Sequence, residues 1–213
     1  MNRSIDGRES MFVANEHNFL KLVIRNKTNL SLLERLPNLE LPDWYLVAGC
    51  LFQTVWNELS GFPAEHGIQD YDVFYCDCED LSWEAEDKVI KRCTKVFSDL
   101  GVDVQVRNQA RVHLWYEHKY GAPCPQMHSS REGIDSFLNQ SSCFGIRSHT
   151  DRHFDVYAPY GFTDLFNMVM RPTCNRNTPD VYYRKAQRWS QVWPKLKVLA
   201  WPDVSPVTSK VWV

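Results

Sequence analysis

Gly67-Ile68-Gln69-Asp70-Tyr71-Asp72-Val73-Phe74-Tyr75 is the stretch that decides the fold of this chain. Its apolar and aromatic residues predict a β-strand. Side chains alternate across a strand, so Asp70 and Asp72 point to the same face, ~7 Å apart. Two carboxylates this close repel each other unless a cation lies between them. The stretch therefore indicates a metal-binding strand, although the same pattern also occurs on solvated strands.

A second signal lies just upstream, where an apolar run at residues 44–48 predicts a buried strand that ends at Gly49. Residues 51–59 then repeat their apolar side chains at helical spacing until Ser60-Gly61. A glycine between a strand and a helix lets a phosphate approach the backbone, and the helix N-terminus supplies free amides and a positive dipole end. Gly49 is thus a candidate anion-binding residue, or simply part of a tight turn.

The remaining periodicities predict several further elements. They are two short helices within residues 16–36, a helix over residues 82–100 with Ser82 as its N-cap, strands at residues 144–147 and 154–157, a short helix from Thr163 through Val169, and a last helix from Thr178-Pro179 to Pro194. In that last helix the tryptophans are expected to cover the core, and the basic residues Arg184, Lys185 and Arg188 to form a solvated face.

Residues 102–117 carry the cleanest alternation of apolar and polar side chains in the chain. One strand of that length would exceed the usual strand length, so we predict a β-hairpin that bends near Asn108-Gln109. Its polar face would carry Arg111, His113 and Glu117.

Composition limits the possible classes of protein. The chain has 213 residues, 44% of them hydrophobic, and a formal net charge of −2, so no global field favours nucleic acid or a membrane surface. No window reaches the ~20 apolar residues of a membrane-spanning helix, and the N-terminus lacks a signal peptide. Seven scattered cysteines indicate reduced thiols. We therefore expect a cytoplasmic protein with no membrane partner.

Several motifs together resemble the nucleotidyltransferase superfamily typified by DNA polymerase β, and more narrowly a largely uncharacterised nucleotidyltransferase-like family of bacteria and fungi. The resemblance covers about residues 40 to 202. The motifs are Val47-Ala48-Gly49, Val55-Trp56-Asn57, Asp70-Tyr71-Asp72, Asn108-Gln109-Ala110-Arg111-Val112-His113-Leu114-Trp115-Tyr116, Ala158-Pro159-Tyr160-Gly161 and Arg171-Pro172.

This resemblance implies an α/β (α+β) fold, a small mixed sheet flanked by helices with an extra C-terminal helix. We expect a single domain over residues 1–213, with an N-terminal helical segment at 1–40, a catalytic core at 41–172, and a C-terminal helix and tail at 173–213. By the same resemblance, Asp70 and Asp72 would hold Mg²⁺ or Mn²⁺, while Gly49 and Cys50 would cradle the β and γ phosphates of a nucleoside triphosphate.

The chain departs from the superfamily pattern at three places. The spacing from Gly49 to Asp70 is longer than the common one, which the loop at residues 62–67 could absorb. Cys50 stands where glycine or serine is usual, which removes a hydroxyl but keeps the backbone amide. A third carboxylate is often found on the neighbouring strand, and here Arg111-Val112-His113-Leu114 occupies the expected place. His113, Glu117 and Asp103 are the candidates for that role, with His113 slightly favoured as a catalytic base or ligand. Arg111, on the same predicted face, is a candidate phosphate ligand.

The functional prediction is a metal-dependent nucleotidyltransferase that moves a nucleoside monophosphate from a nucleoside triphosphate to a hydroxyl of a small molecule, a protein or RNA. The alternative is a catalytically inactive nucleotidyltransferase-like protein that binds a nucleotide or a partner. The intact Asp70 and Asp72 pair favours the enzyme, whereas Cys50 and His113 keep the alternative open.

Overall fold

The computed structural model describes residues 12–121, 123–150, 153–175 and 178–202. Within them the chain runs through α1 (Glu16–Val23), α2 (Lys27–Arg35), β1 (Tyr45–Val47), α3 (Gly49–Ser60), β2 (Asp70–Tyr75), α4 (Trp83–Phe97), β3 (Asp103–Asn108), α5 (His113–Tyr120), α6 (Ser130–Asp135), β4 (Gly145–Ser148), β5 (Phe154–Tyr157), α7 (Thr163–Phe166), β6 (Val169–Met170), α8 (Pro179–Val192) and β7 (Lys197–Val198).

Five strands form a mixed sheet in the order β3-β2-β1-β4-β5. β2 and β3 are parallel, with α4 as their crossover, whereas β1 pairs antiparallel with both β2 and β4. A separate pair of short strands, β6 and β7, is also parallel. The fold is therefore the mixed sheet flanked by helices that the resemblance implied.

Several helix boundaries follow local capping signals. Ser82 precedes α4, and its Oγ accepts a hydrogen bond from the Ala85 amide at 3.2 Å, as its position before an acidic first turn predicts. α3 ends at Gly61, whose φ of 74° is the left-handed conformation that glycine adopts without strain. Asn26 caps α2 by accepting from Thr28 and Asn29, so the break between the two predicted N-terminal helices is confirmed.

The C-terminal helix α8 packs into the main core. Its Trp193 is 1% exposed and donates a hydrogen bond from Nε1 to Asn57 Oδ1 of α3 at 2.8 Å. Trp189 makes edge contacts with Phe52 and Trp56, with ring centroids 5.0 and 5.8 Å apart. Together the aromatic rings join α8 to α3.

The predicted hairpin over residues 102–117 is wrong. Only β3 is a strand, and it is followed by one 3-10 turn at Gln109–Arg111 and then by α5. Asn108 ends the strand, because its side chain accepts from the Ala110 amide and caps the turn. α5 contributes no buried residue, so it needs no apolar stripe at helical spacing. The alternation of apolar and polar side chains therefore extends beyond the strand into a turn and a helix.

The structure also corrects the predicted extent of a short helix. The helix predicted from Thr163 stops at Phe166, and Val169–Met170 instead pairs with Lys197–Val198 in the small sheet.

All seven cysteines are free, in agreement with the prediction of reduced thiols. Among the described residues, no helix combines the length and apolar character needed to cross a membrane.

Replacing Trp193 by alanine tests whether α8 is part of the core. We expect Trp193→Ala to lower the free energy of unfolding by about 3–5 kcal/mol, because the change leaves a cavity and removes the partner of Asn57. Trp83, which is 63% exposed, is the control, and Trp83→Ala should stay within about 0.5 kcal/mol of wild type. Chemical denaturation measures both; equal effects would contradict the packing described.

Candidate functional site

The two carboxylates predicted to bind metal lie at the first residues of β2. In the sheet, Asp72 is opposite Val47, the last residue of β1. The chain leaves β1 at that point and begins α3 at Gly49. Strand pairing therefore brings the N-terminus of α3 beside the carboxylates. The predicted order of strand, Gly49 and helix is present at this junction.

The turn between β1 and α3 is strained. Ala48 has φ 61° and ψ −130°, a conformation that residues with a Cβ rarely adopt. Ala48 has no side-chain cap to offer, so the first amides of α3, at Gly49 and Cys50, have no acceptor within the helix. These amides and the positive end of the helix dipole provide a place for an anion.

Burial and mutual repulsion set the electrostatics of the acidic pair. Burial, and after it the charge of Asp70, raises the pKa of Asp72 to about 7, while Lys185 and Arg107 act in the opposite direction. The positive groups nearby therefore offset only part of the cost of ionising both carboxylates. Two carboxylates in this condition suit a hard divalent cation, which binds oxygen ligands.

The third carboxylate of the superfamily has one nearby counterpart. Asp103 is paired with Asp70 across the parallel strands, and Gln105 Nε2 donates to Asp103 Oδ2 at 2.8 Å and to Asp70 Oδ2 at 3.5 Å. Across the described residues, no three His, Cys, Asp or Glu side chains are grouped closely enough to hold a metal. Asp70 and Asp72 would therefore share a cation with ligand oxygens and water.

Two other candidates lie at the opposite end of the sheet. β3 runs parallel to β2, so residues that follow Asn108 leave the sheet beyond Tyr75, away from Asp70. His113 and Glu117 are both on α5, which begins there, and neither lines the cleft beside the acidic pair. His113 keeps a buried Nδ1 without a hydrogen-bond partner.

Arg111 makes contacts that stabilise the fold and does not face the cleft. It is buried, forms an ion pair with Glu86 of α4, and donates from Nε to the Leu81 carbonyl at 2.9 Å. Glu86 also accepts the Asn108 amide at 2.9 Å. This network ties the end of β3 to α4, and Arg111 does not line the cleft.

Cys50 likewise turns its side chain away from the cleft. The thiol is fully buried in the main core and donates to the Val47 carbonyl at 3.3 Å. Burial raises the pKa of the Cys50 thiol well above its usual value. Only its backbone amide, at the start of α3, remains available for a ligand.

A cavity of about 360 Å³ extends from the acidic pair. Sequence reasoning missed one of its walls, which is formed by α8. The residues that line the cavity include Ala48, Gly49, Gln53, Asp70, Asp72, Ser142, Lys185, Arg188, Trp189 and Trp193. The predicted division of this helix is confirmed, since Trp189 and Trp193 are buried while Lys185 and Arg188 are exposed. The spacing did not indicate that these basic residues border a cavity.

Gln53 is another residue that sequence reasoning missed. It lies one turn after Gly49, is 9% exposed, and its Oε1 has no hydrogen-bond partner. A buried acceptor without a partner costs about 1–3 kcal/mol unless a ligand or water satisfies it. In a cleft that also contains free helix amides, this oxygen is suited to accept a hydrogen bond from a bound molecule.

The mixed sheet, with an acidic pair set beside a helix N-terminus, defines a protein of the nucleotidyltransferase class. A family model described as nucleotidyltransferase matches residues 34–198, and the chain belongs to that family. An NMR structure described as revealing a CCA-adding enzyme head domain has the same fold, with a TM-score of 0.70 and 23% identity; the match covers 90% of this chain and 99% of that one. No curated protein sequence matches.

Replacing Gln53 by methionine tests whether this side chain contacts a ligand in the cleft. Gln53→Met should leave the free energy of unfolding unchanged or raise it by up to about 1 kcal/mol, because a buried acceptor without a partner is removed. The same change should weaken binding of the nucleoside triphosphate that the sequence predicts as ligand, measured by calorimetric titration. Gln187→Met, at an exposed glutamine of α8, is the control. Unaltered affinity in Gln53→Met would show that Gln53 does not contact the ligand.

Replacing Arg111 by methionine tests whether this residue stabilises the fold or binds a ligand in the cleft. Arg111→Met should lower the free energy of unfolding by about 3–5 kcal/mol, because Glu86 would be left as an unpaired buried charge. Adding Glu86→Gln should recover part of that loss. The folded variant should bind the predicted nucleoside triphosphate with the same affinity as wild type. A variant that keeps its stability but loses phosphate binding would instead place Arg111 at the ligand.

Proposed function

We propose that this protein is a metal-dependent nucleotidyltransferase that transfers a nucleoside monophosphate from a nucleoside triphosphate to a hydroxyl group. The observation that carries the proposal is the pairing of Val47 with Asp72, which places two carboxylates next to the N-terminus of α3. A triphosphate needs a cation and hydrogen-bond donors at the same place, and this junction offers ligands for the cation and free amides for the phosphates.

Asp70 and Asp72 would hold one or two Mg²⁺ or Mn²⁺ ions. The residues fit such an ion because the acidic pair carries oxygen ligands, and burial together with the repulsion between the two carboxylates raises the pKa of Asp72. A bound divalent ion would neutralise the charge of the phosphates as the leaving group departs. The amides of Gly49 and Cys50 would orient the phosphates from the opposite side.

In the reaction, the acceptor hydroxyl oxygen forms a bond to the α-phosphorus. The bond from that phosphorus to the oxygen bridging the α and β phosphates breaks, and its electron pair leaves with pyrophosphate. The hydroxyl proton passes to a base or to water. The protein contributes mainly position and electrostatics, which account for most catalysis of phosphoryl and nucleotidyl transfer. The acceptor can be a small molecule, a protein or RNA.

Calorimetric titration of each nucleoside triphosphate, with and without Mg²⁺, tests the metal site. We expect wild type to bind at least one triphosphate more tightly with Mg²⁺, and Asp70→Asn/Asp72→Asn to lose that gain while remaining at least as stable, since the substitutions remove the repulsion between the acids. Glu117→Gln, at an exposed carboxylate outside the cleft, is the matched control. Equal binding by the double variant, or none by wild type, would refute the site.

Turnover is measured separately, as pyrophosphate release from the triphosphate that binds, in the presence of fractionated small-molecule, protein and RNA acceptors. Release by wild type that is absent in Asp70→Asn/Asp72→Asn supports the enzyme. Metal-dependent binding without release in any fraction would support the alternative, an inactive nucleotide-binding member of the family.

A further inference from the structure

One wall of the cleft carries two cations that the acidic pair does not neutralise by direct contact. Lys185 and Arg188 of α8 line the cavity together with Trp189. Because residues three and four positions apart lie on one face of a helix, all three point to the same side. Lys185 Nζ lies over the Trp189 ring, 5.9 Å from its centroid. The buried tryptophan thereby helps to hold the ammonium group at the cleft.

Neither cation forms an ion pair with any carboxylate in the described parts of the chain. Among the described arginines, Arg92, Arg107 and Arg184 likewise form no ion pair, whereas others are bound to acids: Arg25 to Glu58, Arg35 to Asp99, Arg111 to Glu86, Arg147 to Asp155 and Arg171 to Asp164. What sets Lys185 and Arg188 apart is their position, since both line the cavity that contains the acidic pair.

The surroundings of Lys185 are unfavourable for its charge. Lys185 and Arg188 are exposed residues at the cleft, and partial desolvation, together with the charge of Arg188, lowers the pKa of Lys185. Asp72 and Asp70 act in the opposite direction. A bound anion between the two cations would supply the charge that this wall lacks.

The cleft contains a second, independent sign of a ligand. Gln53, on the α3 wall, is 9% exposed and has an Oε1 without a hydrogen-bond partner. The free amides of Gly49 and Cys50 begin the same helix. The start of α3, the Gln53 amide group, the two cations and the acidic pair thus line the same cavity.

We propose that Lys185 and Arg188 bind the β and γ phosphates of the nucleoside triphosphate, the part that departs as pyrophosphate, so that the C-terminal helix completes the substrate site. This inference rests on the proposed function for the identity of the ligand. When the bond between the α-phosphorus and the bridging oxygen breaks, negative charge collects on the departing pyrophosphate. Cations positioned there stabilise that charge by charge-assisted hydrogen bonds.

The experiment measures the affinity of the full chain for inorganic pyrophosphate, for the triphosphate that binds, and for the matching nucleoside monophosphate, with and without Mg²⁺. The variants are Lys185→Gln, Arg188→Gln and the double substitution. Arg184→Gln is the control, because Arg184 is exposed on the same helix but does not line the cavity.

We expect the double variant to lose at least about tenfold in affinity for pyrophosphate and for the triphosphate, the effect of removing charge-assisted contacts. Its affinity for the monophosphate and its melting temperature should stay close to wild type. Wild-type affinity of the double variant for pyrophosphate, no pyrophosphate binding by wild type, or the same loss in Arg184→Gln would each overturn the proposal.

Failure of this inference and failure of the proposed function are distinguishable. If the triphosphate binds through Asp70 and Asp72 but the Lys185 and Arg188 variants bind it as wild type does, the function stands and the inference falls. If pyrophosphate binding depends on Lys185 and Arg188 while Asp70→Asn/Asp72→Asn leaves metal-dependent binding intact, the anion site stands and the proposed metal site falls.

Discussion

The antiparallel register of β1 and β2 is the constraint on which the cleft depends. It sets Val47 opposite Asp72, and α3 begins two residues after Val47, so the acidic pair and the helix N-terminus meet. A slip of one residue would turn the carboxylates toward the apolar face that packs against the helices. The strained backbone of Ala48 follows from the same requirement, since the chain must reverse from strand to helix in a single residue.

Hydrophobic packing of α8 determines where the positive charges lie. Trp189 and Trp193 must be buried against Phe52, Trp56 and Asn57 of α3, and that burial fixes the rotation of α8 about its axis. Lys185 and Arg188 are neighbours of these tryptophans on the helix surface, so the same rotation brings them to the edge of the core, where the cavity opens. The core contacts and the charged wall are therefore consequences of one helix orientation.

Local sequence signals predicted much of the fold. Ser82, Asn26 and Gly61 determine helix ends through hydrogen bonds or backbone conformations within a few residues, and these boundaries were predictable. The interpretation of residues 102–117 was wrong, because alternation does not distinguish a strand from a strand followed by a helix with no buried face. The ion pair of Arg111 with Glu86 spans 25 residues of sequence, and nothing local to Arg111 indicated it.

By itself the sequence determined the strand that carries Asp70 and Asp72, the junction at Gly49 and the helices around them, because each depends on side-chain alternation, glycine or capping within one segment. Only the tertiary structure decided which charged residues face the cleft. It turned Cys50 into the core, paired Arg111 with Glu86, placed His113 at the far end of the sheet, and brought Lys185 and Arg188 to the cavity. The physical reason is that the neighbours of a side chain depend on strand direction and helix rotation, which are fixed by packing between distant segments.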